Sequence, residues 1–259
     1  MPFAEVIGGR IHYRIDGDPD APVLVLSHSV GTDLFMWDRL VAALGRAFQV
    51  LRYDSRGHGR SLVTAGPYTI ELHARDVVSL LDRLKIARVH FCGLSLGGMV
   101  GMWLGAHEPA RVDRLILANT AAQLGPPEAW DARIEAIRQG GMASIADRVI
   151  ERWFTPAFRE SCPADVDAAR QTLLTAPPDG YIACCAALRD MDLRGELASI
   201  RAPTLVIAGR HDPATTPAAC RLIADAIHGA RLVELSAAHL SNIEASEAFN
   251  AAVVGFLLG

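Results

Sequence analysis

Short apolar runs alternate along the chain with longer stretches in which apolar positions return every three or four residues. Residues 23–27, 49–53, 88–92, 114–118 and 204–208 are of the short kind, rich in Val, Leu and Ile without a polar residue at every second position. That pattern predicts strands covered on both faces, as in a parallel sheet. Residues 231–236 add one more. Between the runs the period lengthens: behind Thr69, a suitable helix cap, His73, Val77, Leu80, Leu81 and Leu84 share one helical face, and Phe249, Val253, Phe256 and Leu257 do so near the end. Strand alternating with helix predicts an α/β fold, a mostly parallel, doubly wound sheet with helices on both faces. Residues 4–8 and 10–15 meet at Gly8-Gly9 and predict an antiparallel hairpin at the sheet edge. From about 121 to 196 the strands stop. Trp130, Ile134 and Ile137, then Ile145, Val149, Ile150 and Trp153, then two further patterns are all helical. Soft borders at Gly125-Pro126-Pro127 and at residues 200–203 mark this as an insertion. The chain thus divides into a core, 1–120 and 197–259, and a helical lid, 121–196, over the crevice where such sheets bind ligands.

One segment turns this architecture towards chemistry. Gly93-Leu94-Ser95-Leu96-Gly97 directly follows a strand and directly precedes a helix. A nucleophilic serine needs a sharp, strained turn there, and glycines two residues to either side let the neighbouring backbone pass. Gly97, Gly101 and Gly105 then recur every fourth residue, baring a stripe for close approach to the sheet at a helix cost of roughly 0.5–1 kcal/mol each. Serine alone is a poor nucleophile and needs a base and an orienting acid, in the chain order Ser, acid, His for this architecture. Asp212 follows the strand at 204–208, and His239 follows the strand at 231–236. All three fall on loops at one edge of a single sheet. The loop His28-Ser29-Val30-Gly31 follows another central strand, and the Val30 N–H pairs with that of Leu96 as the expected oxyanion hole. His28 and His58 read as scaffold, and His211 as a bystander.

Composition narrows the partners. The 259 residues are 51% hydrophobic and 21% charged, and Lys+Arg 25 against Asp+Glu 29 leaves a net charge of −4 with no block of one sign. Disorder, a coiled coil and an electrostatic footprint for nucleic acid or an anionic membrane are thereby disfavoured. No apolar run approaches the roughly 20 residues of a membrane span. Met1-Pro2-Phe3 runs straight into a strand pattern, so no secretory signal is expected and the cytoplasm is the expected compartment. Cys92, Cys162, Cys184, Cys185 and Cys220 include no CxxC pair, which predicts free thiols and neither a metal nor a cofactor.

These residues resemble the α/β-hydrolase superfamily over essentially the whole chain, and within it the 3-oxoadipate enol-lactonases of aromatic catabolism. The resemblance is carried by residues 93–98, 117–122, 152–156, 180–190, 208–215 and 237–242; Ser29, where many relatives have glycine, also fits this subgroup. It implies an eight-stranded sheet and opening of a lactone that bears a carboxylate, which a dry pocket must offset with a cation. Arg133 and Arg189 are the candidates for that contact and Trp153 for packing on the ring, although each arginine equally suits a surface ion pair and Trp153 suits plain lid core. Another ester, lactone or carbon–carbon bond hydrolase, a perhydrolase, or a hydrolase-fold small-molecule receptor would use the same triad. Dehalogenase and epoxide hydrolase chemistry would put Asp at position 95 and is excluded. Oligomeric state is not legible.

Overall fold

The computed structural model describes residues 2–259. Eight strands form one sheet: β1 (Phe3–Val6), β2 (Gly9–Gly17), β3 (Val23–Ser27), β4 (Gln49–Tyr53), β5 (Val89–Leu94), β6 (Val112–Ala118), β7 (Thr204–Gly209) and β8 (Arg231–Leu235). Their spatial order is β1-β2-β4-β3-β5-β6-β7-β8. β2 runs antiparallel to β1 and β4, and every other pair is parallel. The hairpin at the edge turns at Ile7-Gly8, with Val6 opposite Gly9 and Gly8 at φ +88. β5 in the centre of the sheet and β7, next to the edge strand β8, are buried along their whole length. That is the outcome the unbroken apolar runs foretold.

Helices flank the sheet. The helices of the core are α1 (Asp38–Leu44), α2 (Ile70–Arg83), α3 (Leu96–His107), α9 (Pro217–Ala226), α10 (Ser241–Glu244) and α11 (Ser246–Leu258). Thr69 caps α2 through its hydroxyl, which accepts from Leu72 N, and the buried face of α2 includes His73, Val77, Leu80 and Leu81, while Leu84 lies half-buried beyond its end. On α3 the glycine stripe meets the sheet: a Cβ on Gly97 would strike the Ser27 carbonyl, one on Gly101 would lie 3.0 Å from Phe91, and one on Gly105 would lie 3.1 Å from Leu115. At Gly97 only glycine permits that approach, and at Gly101 and Gly105 a Cβ would crowd neighbouring side chains.

Between β6 and β7 the chain leaves the sheet for five helices: α4 (Pro127–Gly140), α5 (Ala143–Trp153), α6 (Pro156–Ser161), α7 (Pro163–Thr175) and α8 (Pro178–Asp190). Four of the five begin with proline, whose missing N–H is no loss in a first turn and whose fixed φ suits it. The insert is pinned where its two ends meet, with Leu193 N donating to Ala122 O at 2.7 Å. It is pinned again where Gly180, near the start of α8, touches the backbone of Gly57 too closely for any side chain. No helix among the described residues is long and apolar enough to cross a membrane. All five cysteines are unpaired; four are buried, and burial pushes the thiols of Cys92, Cys184, Cys185 and Cys220 up.

Candidate active site

Ser95 stands between β5 and α3 with φ +57, a left-handed conformation that costs a non-glycine residue energy and marks functional turns. Residues 118–120 hold it in place. Ser95 N donates to Ala118 O at 2.9 Å and Thr120 Oγ1 donates to Ser95 O at 2.8 Å. Gly97 N reaches back to His28 O at 3.2 Å, tying the elbow to the loop after β3.

Asp212, three residues past β7, and His239, four past β8, meet behind the serine. His239 Nδ1 lies 2.8 Å from Asp212 Oδ2, which assigns the proton to Nδ1 and leaves Nε2 free as a base. The same carboxylate oxygen accepts from Thr215 Oγ1 at 2.6 Å and Asn119 Nδ2 at 3.0 Å, and Oδ1 accepts from Ala214 N and Thr215 N. Burial alone would raise this carboxyl; His239, then Thr215 and Asn119, outweigh it and hold it down at about 2. It is therefore an anion aimed at the imidazole. Ser95 Oγ makes no hydrogen bond to His239 in this resting arrangement, a contact that commonly closes only with substrate.

Val30, Ser95 and His239 share one cavity of about 550 Å³ beneath α4 and α5. Neither Val30 N nor Leu96 N has a protein acceptor among the described residues, so both donors are available to an oxyanion. Two buried imidazoles brace their loop: His28 Nδ1–H donates to Ser29 O while its Nε2 accepts from Ser55 N, and His58 Nε2 accepts from Gly31 N. Both must be neutral to accept. Burial pushes His28, His58 and His73 below their ordinary value, His73 to about 3. Because the unfolded chain takes up protons near pH 6.5 and the folded one does not, the fold loses stability as pH drops below about 6.5. Asp212 acts lower down, its contribution fading from about pH 4 towards 2. A melting temperature level from pH 8 to 7 and falling steadily from about pH 6 to 4 is expected; a flat curve to pH 4 would remove the neutral braces.

The insert brings charge to the cavity. Arg133 of α4 lines it, stacked on Trp130 at 4.7 Å and 3.5 Å from Tyr181 Oη, and Trp153 forms another wall. Arg189 does not reach it. Asp131 holds its Nη1 at 2.6 Å and Asp190 its Nε at 2.7 Å on the outer side of the α4–α8 pair, so the expected carboxylate contact from Arg189 is corrected to a surface ion pair. In its stead the cavity receives Arg148 and Arg152 of α5, which the sequence reading missed. Their spacing of three and seven residues from Ile145 puts them on one helical face, and that was the available signal. Burial, then the nearby charges of Arg133 and Arg148, lowers Arg152. No carboxylate pairs with any of the three among the described residues, and Asp147, the acidic residue of the lining, is already taken by Arg170.

Comparison with known proteins agrees with this architecture. Residues 22–246 match the α/β hydrolase fold family. The chain is 42% identical to 3-oxoadipate enol-lactonase 2 of Acinetobacter baylyi, over 94% of this chain and 91% of that one. It is 30% identical to a putative carbamate hydrolase RutD of a Caulobacter species, over 96% of each. The crystal structure of the enol-lactonase from Burkholderia xenovorans LB400 superposes over all of both chains with a TM-score of 0.98 at 50% identity. With a strained serine elbow, an acid and a histidine on neighbouring strand ends and a match across nearly its whole length, this chain belongs to the α/β hydrolase fold family.

Proposed function

We propose that this hydrolase opens the ring of 3-oxoadipate enol-lactone to give 3-oxoadipate, by acyl-enzyme chemistry on Ser95, His239 and Asp212, in the cytoplasmic breakdown of protocatechuate or catechol. The observation that carries the substrate class is charge: Arg133, Arg148 and Arg152 share the cavity of Ser95 and His239 without a carboxylate to balance them. Guanidinium groups of one sign, crowded together along one cavity wall, call for an anion, and a small lactone bearing one carboxylate supplies it. The enol-lactonase relatives support the same choice.

His239 Nε2 takes the proton of Ser95 as Oγ attacks the lactone carbonyl carbon, and the N–H groups of Leu96 and Val30 hold the oxyanion. Asp212 stabilises the imidazolium so formed. Collapse of the tetrahedral intermediate breaks the ring C–O bond and expels an enolate, which takes the proton from the His239 imidazolium and becomes a ketone still tethered to the acyl group, leaving His239 neutral again. Water, deprotonated by His239, then attacks the Ser95 ester. One lactone and one water yield one 3-oxoadipate and the free serine. No part of this sequence needs a group from outside the chain other than water.

Freshly generated 3-oxoadipate enol-lactone, assayed beside neutral lactones, simple esters and carbamates, should be turned over with the highest kcat/KM; preference for a neutral substrate would end the assignment. Arg152→Met and Arg133→Met should each cost about tenfold to a hundredfold in kcat/KM on this lactone, the range of a lost charged hydrogen bond, and less than about threefold on γ-valerolactone. Equal losses on both would remove the carboxylate contact.

A further inference from the structure

The loop that carries His239 is held from outside the triad. One residue before it, Ala238 donates its N–H to Glu244 Oε2 at 2.8 Å and accepts at its carbonyl from Asn119 Nδ2 at 3.1 Å. One residue after it, Leu240 N donates to the carbonyl of Trp153 at 3.0 Å. Glu244 Oε1 in turn accepts from Thr155 Oγ1, and from Thr155 N at 3.3 Å. Trp153 and Thr155 are the hinge between α5 and α6, and the Trp153 side chain is a wall of the cavity. A carboxylate on the four-residue helix α10 therefore stands between the insert and the base. Glu244 itself is not part of the cavity lining.

We propose that Glu244 is a positioning residue for the reaction: its carboxylate clasps the insert to the histidine loop, so that the wall bearing Trp153 and the imidazole of His239 keep one fixed relation. The proposal rests on the triad reading given above. A carboxylate accepting from two backbone amides and a hydroxyl makes charge-assisted bonds, stiffer than neutral ones. Its two ends grip the two segments whose mutual placement decides whether a bound carbonyl lies in line with Ser95 and within reach of His239. Misplacement of about 1 Å at such a site costs up to about a hundredfold in rate. The Leu240–Trp153 hydrogen bond joins the same two segments directly, so the clasp and this backbone hydrogen bond act as two fasteners side by side, and removal of one leaves the fold intact but the alignment loose.

The test uses Glu244→Ala, Glu244→Gln, Thr155→Val and the double variant Glu244→Ala/Thr155→Val. Turnover of the enol-lactone and of 4-nitrophenyl acetate is referred to the concentration of sites labelled by a fluorophosphonate. Glu244→Ala should lower kcat per labelled site about tenfold or more, and Thr155→Val about threefold. The double variant should be no slower than Glu244→Ala, because both changes open one clasp. Glu244→Gln, whose amide oxygen still accepts from Ala238 N while its NH2 can donate to Thr155 Oγ1 but cannot accept from Thr155 N, should fall between Glu244→Ala and the wild type. A purely structural role would lower the melting temperature and the labelled fraction while leaving kcat per labelled site unchanged, and that result, or additive losses in the double variant, overturns the proposal. Should Glu244→Ala fail to fold, Thr155→Val carries the decision, and a normal kcat there is enough to refute the clasp. Failure of the wild-type chain to label, or to turn over either substrate, would instead overturn the triad reading, whereas a labelled, active wild type with an indifferent Glu244→Ala overturns the clasp alone.

Discussion

Replacing Ser95 by Ala is expected to lower kcat about a million-fold while leaving lactone binding within a few-fold of normal, since the triad acts as a unit and what survives comes from binding and the oxyanion donors. Rapid-quench single turnover measures the first quantity and titration of ligand against the inactive protein the second. The change is small in volume, and the alanine inherits a backbone that the neighbours already fix: Ala118 O and Thr120 Oγ1 grip the residue through its main chain, not through its hydroxyl. Loss of rate therefore reports chemistry rather than unfolding. Turnover of even one part in a hundred would transfer the nucleophile's role to another group.

Asp212→Asn should cost about ten-thousand-fold in kcat with the fold and the substrate affinity preserved. Asparagine keeps an oxygen for the N–H groups of Ala214 and Thr215, so the loop stays in place. What changes is the partner of His239. An amide NH2 turned to Nδ1 obliges that nitrogen to accept, which moves the proton to Nε2 and leaves no lone pair for Ser95; an amide oxygen turned there restores the tautomer but not the negative charge that steadies the imidazolium. Ala214 N and Thr215 N call for the amide oxygen at one corner and Asn119 Nδ2 calls for it at the other, so both arrangements are populated and a residual rate above that of Ser95→Ala is expected. A loss below about tenfold would show that the acid lies elsewhere.

Much of this arrangement is readable before any coordinates, and the reason is local. Strand ends follow from runs of aliphatic residues, and the residues just past those ends, 95, 212 and 239, must emerge on one rim when the strands are parallel. The glycine stripe of α3 is equally plain, because the every-fourth spacing has no helical purpose except contact. Side chains facing the cavity are a different matter. Whether Arg189 or Arg152 enters depends on how α4, α5 and α8 lie against one another, and Asp131, fifty-eight residues away, decides the fate of Arg189. Asn119 and Glu244 escaped notice for the same reason: their partners are 93 and 89 residues distant, and nothing in the surrounding pattern marks an amide or a carboxylate as a fastener. Even the boundaries show it, for β6 begins at Val112, two residues earlier than its aliphatic run, because Val89 and Val112 pair despite the charges that follow.

The cluster of guanidinium groups over the serine bears on departure as well as arrival. If the proposed lactone is the substrate, it enters with one carboxylate and leaves as an acid with two, generated within the same arginine-lined chamber. On the function proposed above, the attraction that recruits a monoanion grips a dianion harder, so exit of the finished acid, and not bond cleavage, is the expected slow event at high substrate, and short dicarboxylic acids are the expected competitors for the chamber.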